Sequence, residues 1–239
     1  MTEMPMPVST HTDRPVHDQG NSPAPEGRRE RKRNQTHEKL LGCALRLFGE
    51  RGFANTKVED ITEAADVGKG TFFNYFPSKE HVLMHVAEIQ RGKYQNAIVA
   101  VQQPGSNVYE VIRALYFDLP KLPLSSPGLL RSLLTVFVTD GELRSRVSEG
   151  FSRGRMALNH IIQVGQQRGQ IRRDREAEEL SLAFQRSLMG TAFMWTLHDT
   201  TEHDWWLHSG WDLFWSSICV EAEGLGPEKM PHRKPARRK

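Results

Sequence analysis

Lys69, Thr71, Phe73, Asn74 and Tyr75 fall within one stretch of seven residues. An ammonium, a hydroxyl, a carboxamide and a phenol at this density can bind phosphate oxygens and read base edges. Lys69 has no role in a core, so its charge points to phosphate or base. Gly70 would let the backbone approach DNA closely. Phe73 has two readings, packed inward or laid against sugar and thymine methyl groups. Tyr75 can bury its ring and still aim its hydroxyl at a phosphate. Phe72 and Phe76 read as core.

The elements around this stretch must be short helices. Thr56 reads as an N-cap, with Glu59 completing a capping box. Val58, Ile61 and Ala65 then recur at helical spacing. Asp66-Val67-Gly68 forms the turn, with Val67 as an apolar plug. The next helix, from about Lys69 to Tyr75, is too short to stand alone and must lie against something. Pro77 stops it and Ser78 caps a longer helix. Upstream, Leu41, Ala44, Leu45 and Phe48 form the inner stripe of a brace helix over 36–51, closed by Gly52 and Phe53. Helix, tight turn and exposed short helix is the layout of a helix-turn-helix, whose second member enters the major groove.

The composition bounds the alternatives. The 239-residue chain is 38% hydrophobic and 26% charged, with a net charge of +3. No uninterrupted apolar stretch is long enough to cross a bilayer, and no secretory signal is visible, so a cytoplasmic location is expected. Cys43 and Cys219 lie in apolar helical patterns and read as buried thiols. His198, His203 and His208 are spaced by five residues, which turns them away from one another on a helix, so no metal site is expected. Phosphate-loop, dinucleotide, nucleophile-elbow and zinc-protease motifs are missing, so neither an enzyme nor a cofactor is expected.

Residues 1–33 read as a disordered tail ending in a basic run, Arg28, Arg29, Arg31, Lys32 and Arg33. That run is either a solubilising lead-in or an arm, with Arg31 and Arg33 on phosphate or in the minor groove. The helix-turn-helix unit occupies 34–80. Residues 81–225 show helical patterns throughout, and 226–239 form a basic tail expected to be disordered. No alternating segment argues for a strand, so the fold class is all-α, a three-helix head on a helical body. In the body, Phe117, Phe137, Phe151, Phe184, Phe193 and Trp195 either line a pocket or serve as core and subunit interface. The last two helices, over 177–223, carry more apolar surface than one covered face requires. Leu188 is the seam residue expected there.

The stretch TKVEDITEAADVGKGTFFNYFPSKE, preceded by HEKLLGCALRLFGERGF, resembles the N-terminal domain of the TetR family of bacterial transcriptional regulators. The likeness covers roughly 36–87; beyond it only the layout is similar. It implies a homodimer that binds a palindromic double-stranded DNA operator and is released when a ligand enters the body; the Phe, Met and Trp content between Phe117 and Trp211 points to a small apolar or aromatic effector. By position, Lys69, Thr71, Phe73, Asn74 and Tyr75 match the recognition helix, and Thr56 and Lys79 match phosphate-contacting positions. Asp66 stands where a glycine is common and Gly68 where a serine cap is common. The alternative is a ligand-independent dimeric architectural DNA-binding protein.

Overall fold

The computed structural model describes residues 27–197 and 203–220. The expected tails, His198 and the end of the last expected helix lie outside the described residues. Among the described residues the helices are α1 (Arg28–Arg51), α2 (Val58–Ala64), α3 (Lys69–Phe73), α4 (Lys79–Gln102), α5 (Val108–Asp118), α6 (Pro127–Thr139), α7 (Gly141–Gln167), α8 (Ala177–Thr196) and α9 (His203–Ile218). A short 3₁₀ turn, Pro123–Ser125, precedes α6. Extended pairing among these residues is confined to one antiparallel bridge, Ile171 to Cys219. The fold is all-α, as the periodicity predicts.

Helix starts follow local chemistry. Asn107 accepts from the Tyr109 amide at 2.9 Å, Ser126 from Leu129 at 3.1 Å and Asp140 from Leu143 at 2.9 Å. Each satisfies an amide that the first turn leaves without a partner. The basic run is corrected here. Arg28 to Arg33 form the first turns of α1 rather than the end of a tail. Straight-chain Arg and Lys are good helix formers, and no Gly or Pro interrupts the run.

Two cores organise the packing. The body core gathers Val101, Ile112, Tyr116, Leu158, Ile161, Phe184, Trp195, Trp211 and Phe214. The head core gathers Leu40, Ala44 and Phe48 of α1, Ile61 and Ala65 around α2, Phe72, Phe76, and Val82 and Val86 of α4. It also takes Leu129, Leu133 and Val136 of α6 and Leu143 of α7. The boundary expected after residue 80 therefore falls where α4 continues unbroken and α6 enters the head core.

The head–body contact is a close backbone approach. A Cβ on Gly128 would collide with the Gly49 carbonyl oxygen, and one on Gly49 would come within 2.8 Å of Ser126 Oγ. Beside this contact the Phe53 amide donates to Ser132 Oγ at 2.8 Å. Gly128→Ala should therefore push α6 off α1 and destabilise the fold by about 1–3 kcal/mol in urea denaturation. An unchanged midpoint and slope would show that the two helices have room to spare.

Candidate nucleic-acid interface

The reading helix is held from behind. Phe72 is fully buried and Phe76 is 2% exposed, which fixes one side of α3 in the head core. Phe73, by contrast, is 45% exposed, which settles its two readings in favour of the outward one. Lys69, Gly70 and Asn74 are exposed, and Thr71 and Tyr75 are half-buried. The helix itself ends at Phe73, with Asn74 as its cap and Tyr75 in the following turn. Lys69 is already paired, its Nζ lying 2.5 Å from Glu59 Oε1 on the exposed surface. That bond from Lys69 holds the Glu59 carboxyl below its usual range. An added Cβ at Gly70 would meet nothing within 4 Å, so the protein itself does not demand glycine there.

Thr56 and Glu59 do not form the expected cap. The N-cap of α2 is Lys57, whose amide donates to Asp60 Oδ2 at 2.7 Å. Thr56 is buried, and its hydroxyl donates to the Gly52 carbonyl at 2.8 Å, with the Leu47 carbonyl at 3.3 Å. It fastens the end of α1, where Gly52 (φ 83°) turns the chain back. Lys79 is similarly engaged. Its Nζ donates to the carbonyls of Phe53 (2.9 Å) and Thr56 (3.1 Å) and sits 4.5 Å from the centre of the Phe53 ring. Both residues therefore hold the loop between α1 and α2 against the start of α4.

The turn between α2 and α3 has the backbone that makes glycine common at residue 66. Asp66 has φ 51°, the left-handed region that costs a side chain energy. Gly68 caps α3 without a side-chain acceptor.

Between α1 and the end of α3 lies a cleft of about 360 Å³, lined by Glu30, Arg33, Asn34, His37, Asn74 and Tyr75. His37 packs 5.0 Å from the Phe76 ring, 5.8 Å from Tyr75 and 4.5 Å from His85 of α4. Burial, then the neighbouring His85, pushes the His37 imidazole below its ordinary pKa. Arg33 thus joins the recognition-helix residues, while Arg31 lies exposed on the same helix. Sequence reasoning missed Asn34 and His37. The spacing 30, 33, 34, 37 is one helical face and shows only once α1 is extended back to Arg28.

The six expected pocket aromatics are not brought together. Phe184 and Trp195 are buried in the body core, and Phe117 packs on it between Tyr116 and His208. Phe137 packs on the head core instead. Phe151 and Phe193 are exposed. The aromatic content of the body is thus mainly interior packing, the plainer of the two readings.

A short helix fixed from behind by two phenylalanines and preceded by a tight turn defines a helix-turn-helix DNA-binding protein. Residues 40–86 match the model of the bacterial regulatory proteins of the tetR family. The chain is 30% identical over 146 residues to the transcriptional repressor DhaR of Mycobacterium sp., covering 59% of this chain and 73% of that one. It belongs to the TetR family of bacterial regulatory proteins. It is 41% identical over 76 residues to the regulator TcmR of Streptomyces glaucescens, covering 32% of this chain and 33% of that one. The matches to TcmR and to two Bacillus subtilis regulators, YerO and YuxN, span only 33%, 24% and 23% of those proteins. The fold is similar to that of SmeT in complex with triclosan, with TM-score 0.59 and 19% identity over 82% of this chain and 99% of that one.

Lys79→Met should lower stability without any DNA present, by about 1–3 kcal/mol, because two carbonyls lose a charged donor. Thermal denaturation of the free protein checks this. Unaltered stability would return Lys79 to the pool of free phosphate-binding cations.

Proposed function

We propose that the chain is a repressor that binds a palindromic operator as a homodimer and leaves it when a small apolar or aromatic effector enters the body. The observation that carries the DNA reading is the two-sidedness of α3 and the turn after it, with Phe72 and Phe76 locked inward while Phe73 and Asn74 face out. Lys69, Gly70, Thr71 and Tyr75 complete the reading surface, and Arg31 and Arg33 extend it along α1. Thr56 and Lys79 contribute by positioning the unit. Operator binding places the protein in the cytoplasm. The head is then 34–80 with the preceding turns of α1, and the body 81–225.

Homodimerisation is supported by large apolar side chains that the body core leaves uncovered. Phe193 of α8 is 52%, Leu197 just after that helix 62% and Leu213 of α9 71% exposed. Leu188, expected in that seam, packs partly against the body core instead, so Phe193 is the better probe.

Release by an effector is supported by α4, which contributes Val82 and Val86 to the head core and Ala97 and Val101 to the body core. A molecule that shifts one end of this helix shifts the other. Tyr94 of α4 lies where Gly154 of α7 leaves room for its ring, and burial raises its phenol far above the usual range. One turn earlier, the buried amide of Gln90 has no protein partner on either polar atom. These two groups would orient an otherwise apolar effector. A coupling of about 1–3 kcal/mol would lower operator affinity roughly 5- to 150-fold, and DNA would weaken the effector by the same factor.

Selection of bound sequences from a randomised duplex library tests the reading. Two inverted half-sites, their centres about one helical turn apart or a multiple of it, are expected. Asn74→Ala should relax one or two positions in each half-site, and Phe193→Asp should yield monomers that bind far more weakly. Asymmetric selected sites, or a Phe193→Asp dimer, would defeat the dimeric account.

A further inference from the structure

The cleft between α1 and α3 has a charge balance of its own. Of its six lining residues, Arg33 is positive, Glu30 negative, and Asn34, Asn74 and Tyr75 neutral. His37 decides the sign. We propose that this cleft is a DNA phosphate site and that His37 takes up a proton from solvent when a phosphodiester enters it. This rests on the reading of α3 as the DNA-facing helix, because Asn74 and Tyr75 form the wall opposite Arg33.

The surroundings of His37 disfavour its protonation in the free protein. From α4, the His85 ring meets it edge-on at 4.5 Å, and behind His85 stands Glu88, 3.7 Å from Nδ1. From the α3 side come Tyr75 and Phe76, which remove water from the ring. Along α1, Arg33 opposes a second positive charge while Glu38 favours one, and Glu30 lines the cleft. Burial and His85 outweigh Glu38, and the imidazole sits below its ordinary value. A phosphodiester carries a full negative charge and accepts hydrogen bonds, so it favours the imidazolium and raises that pKa. The cleft then changes from no net charge to +1 as it fills.

The sign of the pH dependence follows. Above the pKa of the complex, neither state holds the proton and affinity is flat. Between that value and the lower one of the free protein, binding takes up a proton and tightens as pH falls. Below both values the gain is complete. One proton sets a ceiling of roughly tenfold per pH unit.

The test is fluorescence anisotropy of the full chain on a labelled duplex of random sequence, at constant ionic strength, from about pH 8 to about pH 6. Binding should tighten several-fold or more as pH falls. His37→Gln should bind and lose most of that dependence, whereas His160→Gln, altered on the exposed surface of α7, should keep it. A His37→Gln slope equal to that of the unaltered protein overturns the proposal while leaving the head as the DNA-binding unit. No binding to any duplex at any pH would instead sink the DNA reading itself. Should His37→Gln fail to fold, the NMR titration of the His37 ring in the unaltered protein decides. Its pKa must rise when the duplex is added, and an unchanged value overturns the proposal.

Discussion

The structure depends on how closely α6 lies against α1. Gly49 and Gly128 meet backbone to backbone, and the Phe53 amide closes the contact on Ser132. Because side chains are missing on both sides, the helices approach nearer than any larger pair would allow. That proximity lets Leu129, Leu133 and Val136 serve the head core. A head built from α1, α2 and α3 alone would be small, and a core that small supplies little stability. Borrowing α6 and the first turns of α4 enlarges it.

The second constraint is the fixing of α4 at both ends. At its start, Lys79 holds the carbonyls of Phe53 and Thr56. At its far end, Arg168, just after α7, donates to the carbonyls of Val101 (3.0 Å) and Ser106 (3.1 Å). Between them α4 runs alongside α7 in the same direction, with Met84 near Arg146 and Tyr94 against Gly154. A helix pinned in this way moves as a rod. The interior between the pins is where Gln90 and Tyr94 sit, so a molecule that reached them would act on the rod directly. The aromatic residues of the body do different work, Phe184, Trp195, Trp211 and Phe214 filling the core while Phe193 stays exposed on α8.

Most of the fold was legible because helices leave a period in the sequence. The stripe Leu41, Ala44, Leu45 and Phe48 and the break at Gly52 mark the brace helix, which ends at Arg51 as expected, and the body is helical throughout its described residues apart from short connections. What failed was anything set by tertiary contact. Thr56 has the right type and spacing for a cap, yet its hydroxyl is drawn to carbonyls at the end of α1. Lys79 looks like a free cation in sequence, but its partners are backbone atoms more than twenty residues away. Arg28 to Arg33 carry no apolar stripe, so periodicity could not place them in a helix. Aromatic residues look alike whether they line a pocket, fill a core or cover an interface, and only packing separates Phe184 from Phe193.

Central to this account is that the head core and the body core are coupled into one cooperative unit through α6, which gives Leu130 to the body core and Leu129, Leu133 and Val136 to the head core. Native-state hydrogen exchange measures this directly, by comparing slow amides in α2 and α6 of the free protein. The account predicts that both open with the same free energy, within about 1 kcal/mol, and respond alike to added urea. A head that exchanged through its own low-energy opening, while α6 stayed protected, would contradict it.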